Sequence, residues 1–179
     1  RLEPLVPYDA NTAECLVFTY KDGLLSRVGH DLKLRCDRFS VTLEEDRVEA
    51  TFDAGAWTCV AALKDGRENP GALSDKDKRQ ILENMRKGVL QPNKYKDIRF
   101  RSTAVERDGN ALKVKGDLTL HGATRQITAS ARKVSGKWVA EVELDQTDFG
   151  IKPFTALMGT LKVKKNVKVR VSVPAGDQE

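Results

Sequence analysis

Apolar and polar residues alternate along most of this chain. A period of two places one set of side chains on each face of an extended strand, so it selects half-buried β-strands over helices. Leu16, Phe18 and Tyr20 form the first series, and Leu32, Leu34 and Cys36 follow among Asp31, Lys33 and Arg35. Phe39, Val41 and Leu43 continue it after an irregularity near Asp37, and Val48, Ala50 and Phe52 come after the charged turn at 44–47. The pattern resumes at Ile98 and Phe100. Gly109-Asn110, His121-Gly122 and Ser135-Gly136 then separate the later series, and Gly and Asn in such turns tolerate positive φ. A last series runs from Leu161 to Val173, interleaved with lysine, arginine and serine.

The expected fold class is all-β: an antiparallel, up-and-down β-barrel of about eight strands, built as a single domain over 1–179. One segment departs from the period. Ser74 with Asp77 forms a helix start, Ile81, Leu82 and Met85 recur at helical spacing, and Gly88 is placed to end the run. A single α-helix is therefore expected over about 74–87.

Charge narrows the partners. The chain carries 31 Lys plus Arg against 26 Asp plus Glu, a net +5. Residues 1–90 hold 14 basic and 16 acidic side chains and residues 91–179 hold 17 and 10, so the basicity belongs to the second half. Its outward lysines and arginines are interrupted by Asp117, Glu141 and Glu143, and no run of exposed aromatics accompanies them. That is a solvated strand exterior, so no nucleic-acid partner is expected. No segment reaches the ~18 apolar residues of a span, so membrane contact is expected to be at most transient, and a homodimer is left open. Cys15, Cys36 and Cys59 are odd in number without CxxC spacing, which reads as buried free thiols. With no visible signal peptide this favours a cytoplasmic protein, or a periplasmic one if a leader was removed before Arg1.

An eight-stranded barrel has room for its own side chains or for one small ligand. Small residues expected to point inward (Cys36, Ala50, Ala104, Gly116, Ala129, Ala131 and Ala140) leave space for an elongated apolar cavity between bulky neighbours; the alternative is a barrel filled by its own side chains. The expected strand wall is Phe18, Leu34, Phe39, Phe52, Phe100, Leu118 and Trp138. Leu82 and Met85 would join it from the helix, and Phe149, Phe154 and Met158 would act as a lid at the mouth. His30 and His121, the only histidines, are candidate polar anchors. Together with Asp31 they also have the residue types of a metal or acid-base site, against a plainer reading in which each caps a turn. Ser26 and Cys36 lack a base and orienter, and no nucleophile elbow, P-loop or dinucleotide fingerprint occurs. Neither catalysis nor a metal or other cofactor is expected.

Three stretches carry a resemblance. The run from Asn84 to Thr103, with Tyr95 and Ile98-Arg99-Phe100-Arg101-Ser102, is similar to the helix-to-strand segment of YceI-family proteins. Gly116-Asp117-Leu118-Thr119-Leu120-His121-Gly122-Ala123-Thr124 resembles that family's hairpin, and Asp148-Phe149-Gly150-Ile151 its late Asp-Phe-Gly-Ile. The resemblance implies a lipocalin-like barrel with a helix at one side and a long hydrophobic channel, which in some members holds a polyisoprenoid. Lys96 stands where the family usually has Pro after the Tyr, and Ser26-Arg27-Val28-Gly29-His30-Asp31-Leu32 resembles a subgroup with an early Gly-His-Asp. The expected function is binding or carrying a long-chain amphiphile, isoprenoid or quinone-like. The alternatives are a small-molecule enzyme or metal-binding protein using His30, Asp31 and His121, and a stress-linked structural module with a filled barrel.

Overall fold

Alternation becomes strand almost wherever it occurs. The computed structural model describes residues 6–22 and 29–176. Strands β1 (Tyr8–Asp9), β2 (Glu14–Thr19) and β3 (Lys21–Asp22) precede β4 (Asp31–Cys36), β5 (Phe39–Leu43), β6 (Val48–Asp53) and β7 (Trp57–Lys64). After β8 (Arg67–Glu68) and helix α1 (Asp75–Met85) come four long strands: β9 (Asp97–Asp108), β10 (Ala111–Leu120), β11 (Ala123–Val134) and β12 (Lys137–Asp145). The chain ends with β13 (Thr155–Ala156), β14 (Leu161–Val163) and β15 (Asn166–Pro174).

Twelve strands form one curled antiparallel sheet in the order β1-β5-β6-β9-β10-β11-β12-β15-β2-β4-β7-β8, and β13-β14-β3 form a second, small one. The expectation of about eight strands is therefore corrected: the two-residue strands β1, β3, β8 and β13 add to the number, and three local causes supply the rest. The alternation across 32–43 is two strands, because after Asp37 the chain leaves its pairing with β2 and β7 and joins β1 and β6. The sequence 57–64 is a strand without alternation, since Cys59, Ala61 and Ala62 are all buried and α1 packs against this strand. The series 161–173 breaks at Lys164-Lys165, with β14 in the small sheet and β15 in the large one. The 37–38 and 54–56 connections carry the chain between the two end regions of the sheet, with Asp37 N donating to Ala56 O (2.7 Å) as an extension of the β4–β7 pairing and Asp53 N to Arg38 O (3.0 Å) as an extension of β5–β6.

The expected turns form. Gly109 (φ 60°), His121-Gly122 (56°, 78°) and Ser135-Gly136 (51°, 78°) all enter the left-handed region, the backbone that two-residue hairpin turns need to match strand twist. The helix starts as read: Asp77 N donates to Ser74 Oγ (3.0 Å) and Ser74 N to Asp77 Oδ2 (2.9 Å). It does not stop at Gly88. A wide π-turn carries the chain on through Arg86–Leu90, and Gln91 ends it at φ 49°.

β10 carries a register shift at Lys115/Gly116 against β9, which puts the backbone of 101–102 directly over Gly116. Two buried clusters fill the interior. Cys15, Cys36, Phe39 and Trp138 belong to one, and Leu118, Leu144, Phe149, Ile151 and Val167 to the other. No helix among the described residues is long and apolar enough to cross a membrane.

Candidate functional site

The two clusters do not close the interior between them. A cavity of about 270 Å³ lies inside the curled sheet. Leu34, Phe52, Phe100, Leu118 and Trp138 line it from the strands, and Ala50, Ala131 and Ala140 supply the small positions that leave it open. Val89 and Leu90, carried inward by the π-turn, join Met85 at one end. Among all its lining side chains only those of Thr19 and Gln146 carry an oxygen. The Gln146 amide is occupied, since Nε2 donates to Lys164 O (3.1 Å).

A second space of about 370 Å³ adjoins the first, between α1, β4 and the small sheet. Thr19, Leu34, Met85, Val89 and Gln146 belong to both walls. Its character differs, because His30, Asp77, Gln80 and Asn84 face it alongside Phe154, Leu161 and Val163. Gln80 Nε2 donates to Asn84 Oδ1 (2.9 Å), and the Asp77 carboxylate is held below its ordinary range chiefly by the Ser74 backbone and hydroxyl it accepts from. An apolar chamber thus meets a chamber with a polar wall.

The expected wall residues divide accordingly. Leu34, Phe52, Met85, Phe100, Leu118 and Trp138 line the apolar cavity, and Phe154 lines the second space. Phe18 does not face inward. On β2 it is Cys15, Val17 and Thr19 that line the cavity, while Leu16 and Phe18 turn to the outer face and are buried there. Lys33, Arg35, Lys168 and Arg170 stand opposite these two on the flanking strands, and the Arg170 guanidinium lies 4.9 Å from the Phe18 ring centre. Long basic side chains can cover apolar surface with their stems while the charge stays in water. Phe39, the cross-strand partner of Phe52, stacks beside it (5.8 Å between ring centres) on the inward face without lining the cavity, and Phe149 is core in a short 3₁₀ turn. Leu82 is half-buried on α1 and lines neither space, and Met158 stands in solvent, so of the stretch 149–158 Ile151 lines the apolar cavity and Phe154 the second space.

The histidines take different places. His30 faces the second space. His121 is a turn residue: its Nε2 lies 3.3 Å from Gln91 Oε1 and its ring 4.2 Å from that of Tyr95. A Cβ on the neighbouring Gly122 would come within 2.8 Å of Tyr95, so Tyr95 packs directly on this turn and pins the 91–96 connection across it. Asp31 Oδ1 accepts from Lys21 N (2.8 Å). Among the described residues no three His, Cys, Asp or Glu side chains are grouped to hold a metal ion. Ser26 lies outside the described residues, as do Arg27 and Val28 of the same motif.

Sequence reasoning missed Cys15, Val17, Trp57, Val89 and Leu90 as cavity residues. The run Glu14–Thr19 is apolar at four successive positions, so its parity was ambiguous; nothing local announces a π-turn.

All three cysteines are free and buried. Burial pushes the Cys36 thiol from an ordinary 9.0 to about 11 and pushes Cys15 and Cys59 up as well, with Lys78 pulling Cys59 partly back. Above pH 9 the unfolded chain releases protons that the folded protein keeps. Stability is therefore expected to be whole below pH 9 and to fall as pH rises toward 11, by at most about 1.4 kcal/mol per pH unit for each thiol. Urea unfolding across that window checks it, and Cys36→Ser should flatten the slope; an unchanged slope in Cys36→Ser would show that thiol to be uninvolved.

Comparison with known proteins fits this geometry. The YceI-like domain model matches residues 13–175, from just before β2 to just after β15. Protein YceI of Shigella flexneri and that of Escherichia coli O157:H7 are each 37% identical over 73 residues, 35% of this chain. The match spans only 38% of the length of these relatives. The crystal structure of Burkholderia cenocepacia BcnA superposes with a TM-score of 0.66 at 15% identity, covering 94% of this chain and 99% of that one. A polyisoprenoid binding domain from Saccharophagus degradans, implicated in plant cell wall breakdown, superposes at 0.59 with 12% identity, covering 95% and 97%. At such identities these two likenesses are of fold. The family match takes in every strand that builds the cavity wall, and by it the chain belongs to the YceI-like domain family.

Proposed function

We propose that this protein binds and carries one long-chain amphiphile, an isoprenoid or quinone-like lipid, with its tail in the apolar cavity and its polar end in the adjoining space beside His30. The observation that carries this is the cavity itself: about 270 Å³ walled almost wholly by hydrocarbon. An apolar cavity of roughly 150 Å³ stays dry and takes up benzene, so one of this size suits an apolar guest better than water. Left unfilled it also forgoes packing energy. At about 24 cal/mol per Å³ the loss is about 6 kcal/mol, comparable to the whole net stability of many domains. A barrel serving only as a structural module would gain by filling that space.

Burial supplies the affinity. Each methylene transferred from water contributes about 0.8 kcal/mol before ordering costs, so a tail needs no covalent or metal bond to be held. Gly29-His30-Asp31 is read here as the mark of a subgroup within the family, with His30 as the polar anchor. The polyisoprenoid named for the Saccharophagus domain supports this ligand class for a chain of the same fold. The relatives' activities are otherwise not carried over, and the reading is of a binding protein rather than an enzyme.

Native mass spectrometry of protein purified without detergent tests the proposal. The expected result is a bound mass matching an isoprenoid or quinone-like lipid, released on unfolding. An empty protein that also fails to take up added long-chain isoprenols and fatty acids would overturn it.

A further inference from the structure

Between β13 and β14 the chain turns through Leu157, Met158 and Gly159, at φ 53°, 56° and 88°. All three lie in the left-handed region, which suits glycine but crowds the Cβ of leucine and methionine. The strained turn does not tuck its side chains away. Leu157 is 63% exposed and Met158 fully so, the only adjacent pair among the exposed large hydrophobics of the described residues. A flexible, polarizable methionine beside a leucine at the end of a hairpin is an apolar tip left largely uncovered by the described residues.

Its surroundings are cationic. From Phe149 to Gly176 the sequence holds Lys152, Lys162, Lys164, Lys165, Lys168 and Arg170 and no carboxylate side chain. Lys152, Lys162 and Lys164 are exposed, and Lys162 Cε would lie 3.8 Å from a Cβ on Gly159, at the foot of the tip. Lys165 is already paired with Asp145 (3.4 Å). The acids nearby are Asp22, opposite Lys162 in the β3–β14 register, and the exposed Asp148.

We propose that this hairpin docks the protein on an anionic lipid bilayer, with Leu157 and Met158 entering the acyl boundary and Lys152, Lys162 and Lys164 meeting the headgroups. Charge complementarity commits the surface to an anionic membrane, because an apolar tip with Lys162 at its foot and Lys152 and Lys164 exposed farther along the same two arms combines the features that bind such an interface. Phe154, Leu161 and Val163 of the same hairpin wall the second space, so docking would bring that space to the bilayer surface. The inference does not rest on the lipid-carrying reading, since membrane binding is measured without following any cavity ligand.

Cosedimentation of the full chain with vesicles tests it. Partition onto equal parts phosphatidylglycerol and phosphatidylcholine is expected to exceed that onto phosphatidylcholine alone by about tenfold or more, and to fall as salt rises. Leu157→Ser/Met158→Ser should lower it about tenfold, and each of Lys152→Glu, Lys162→Glu and Lys164→Glu by about fivefold or more. Unchanged circular dichroism and unfolding midpoints show that the variants fold; if the double variant does not, Met158→Ser alone is read. Three results would overturn the proposal: no preference for anionic vesicles, full binding by the Leu157→Ser/Met158→Ser variant, or light scattering that shows the tip instead joining two copies of the chain.

Discussion

Phenylalanine introduced at both Ala131 and Ala140 is expected to lower retention of an added long-chain isoprenol by about a hundredfold or more. The two alanines are cross-strand partners on β11 and β12, and both face the cavity. Two phenyl rings placed there occupy a large share of its 270 Å³. Excluding even four methylenes of a tail removes about 3 kcal/mol of burial, which is more than a hundredfold in affinity. The unfolding midpoint should hold or rise, because the rings fill a void as well as block it; overpacking would cost about 1–3 kcal/mol. Binding and thermal unfolding must be measured on the same preparation. A folded variant that still takes up its isoprenol like the parent protein would place the tail elsewhere.

The largest stability effect should come from Gly116→Val. A Cβ at Gly116 would meet the Arg101 carbonyl oxygen, and it would lie 2.7 Å from both Phe100 Cζ and Ser102 Cα. Two of these three obstacles are backbone, so they cannot swing aside. A loss of about 3 kcal/mol is expected, which for a chain of this length is roughly 6–12 °C in the unfolding midpoint. Trimming Phe100 should not restore it, since the ring is one obstacle of three and its own removal from the interior costs about 3 kcal/mol or more. A Gly116→Val protein that melts within 2 °C or so of the parent would show that the β9–β10 register shift relaxes more freely than backbone packing allows.

The turns and the hairpin order were legible because each rests on local chemistry. Gly109-Asn110, His121-Gly122 and Ser135-Gly136 sit where positive φ is needed, and the Ser74–Asp77 start of α1 depends on two residues three apart. What escaped was whatever depends on what covers a strand. β2 carries Cys15, Leu16, Val17 and Phe18 in succession because both of its faces are buried, one by the cavity wall and one beneath basic stems from β4 and β15. β7 hides its alternation beneath α1. Five of the twelve expected wall residues line neither space: Phe18 turned outward, Phe39 stands beside Phe52 off the cavity, Leu82 stays on the helix, Phe149 is core and Met158 stands in solvent. Of the resemblance motifs, the Tyr95 and His121-Gly122 stretches meet each other and Phe149 goes to the core, while Ile98, Phe100, Leu118, Leu120 and Ile151 line the apolar cavity.

The pairing of β15 with β2, which sets Lys168 beside Phe18, has a consequence for how the chain is made. About 150 residues separate the partners, and closing so long a loop is slow compared with forming the β9–β12 meander, whose neighbours are joined by two-residue turns. During translation the central hairpins can zip as they emerge, but the half-wall they form stays open until β15 leaves the ribosome. Its apolar face is then presented to chaperones or to a tail already at hand, and loading can become part of the last folding step.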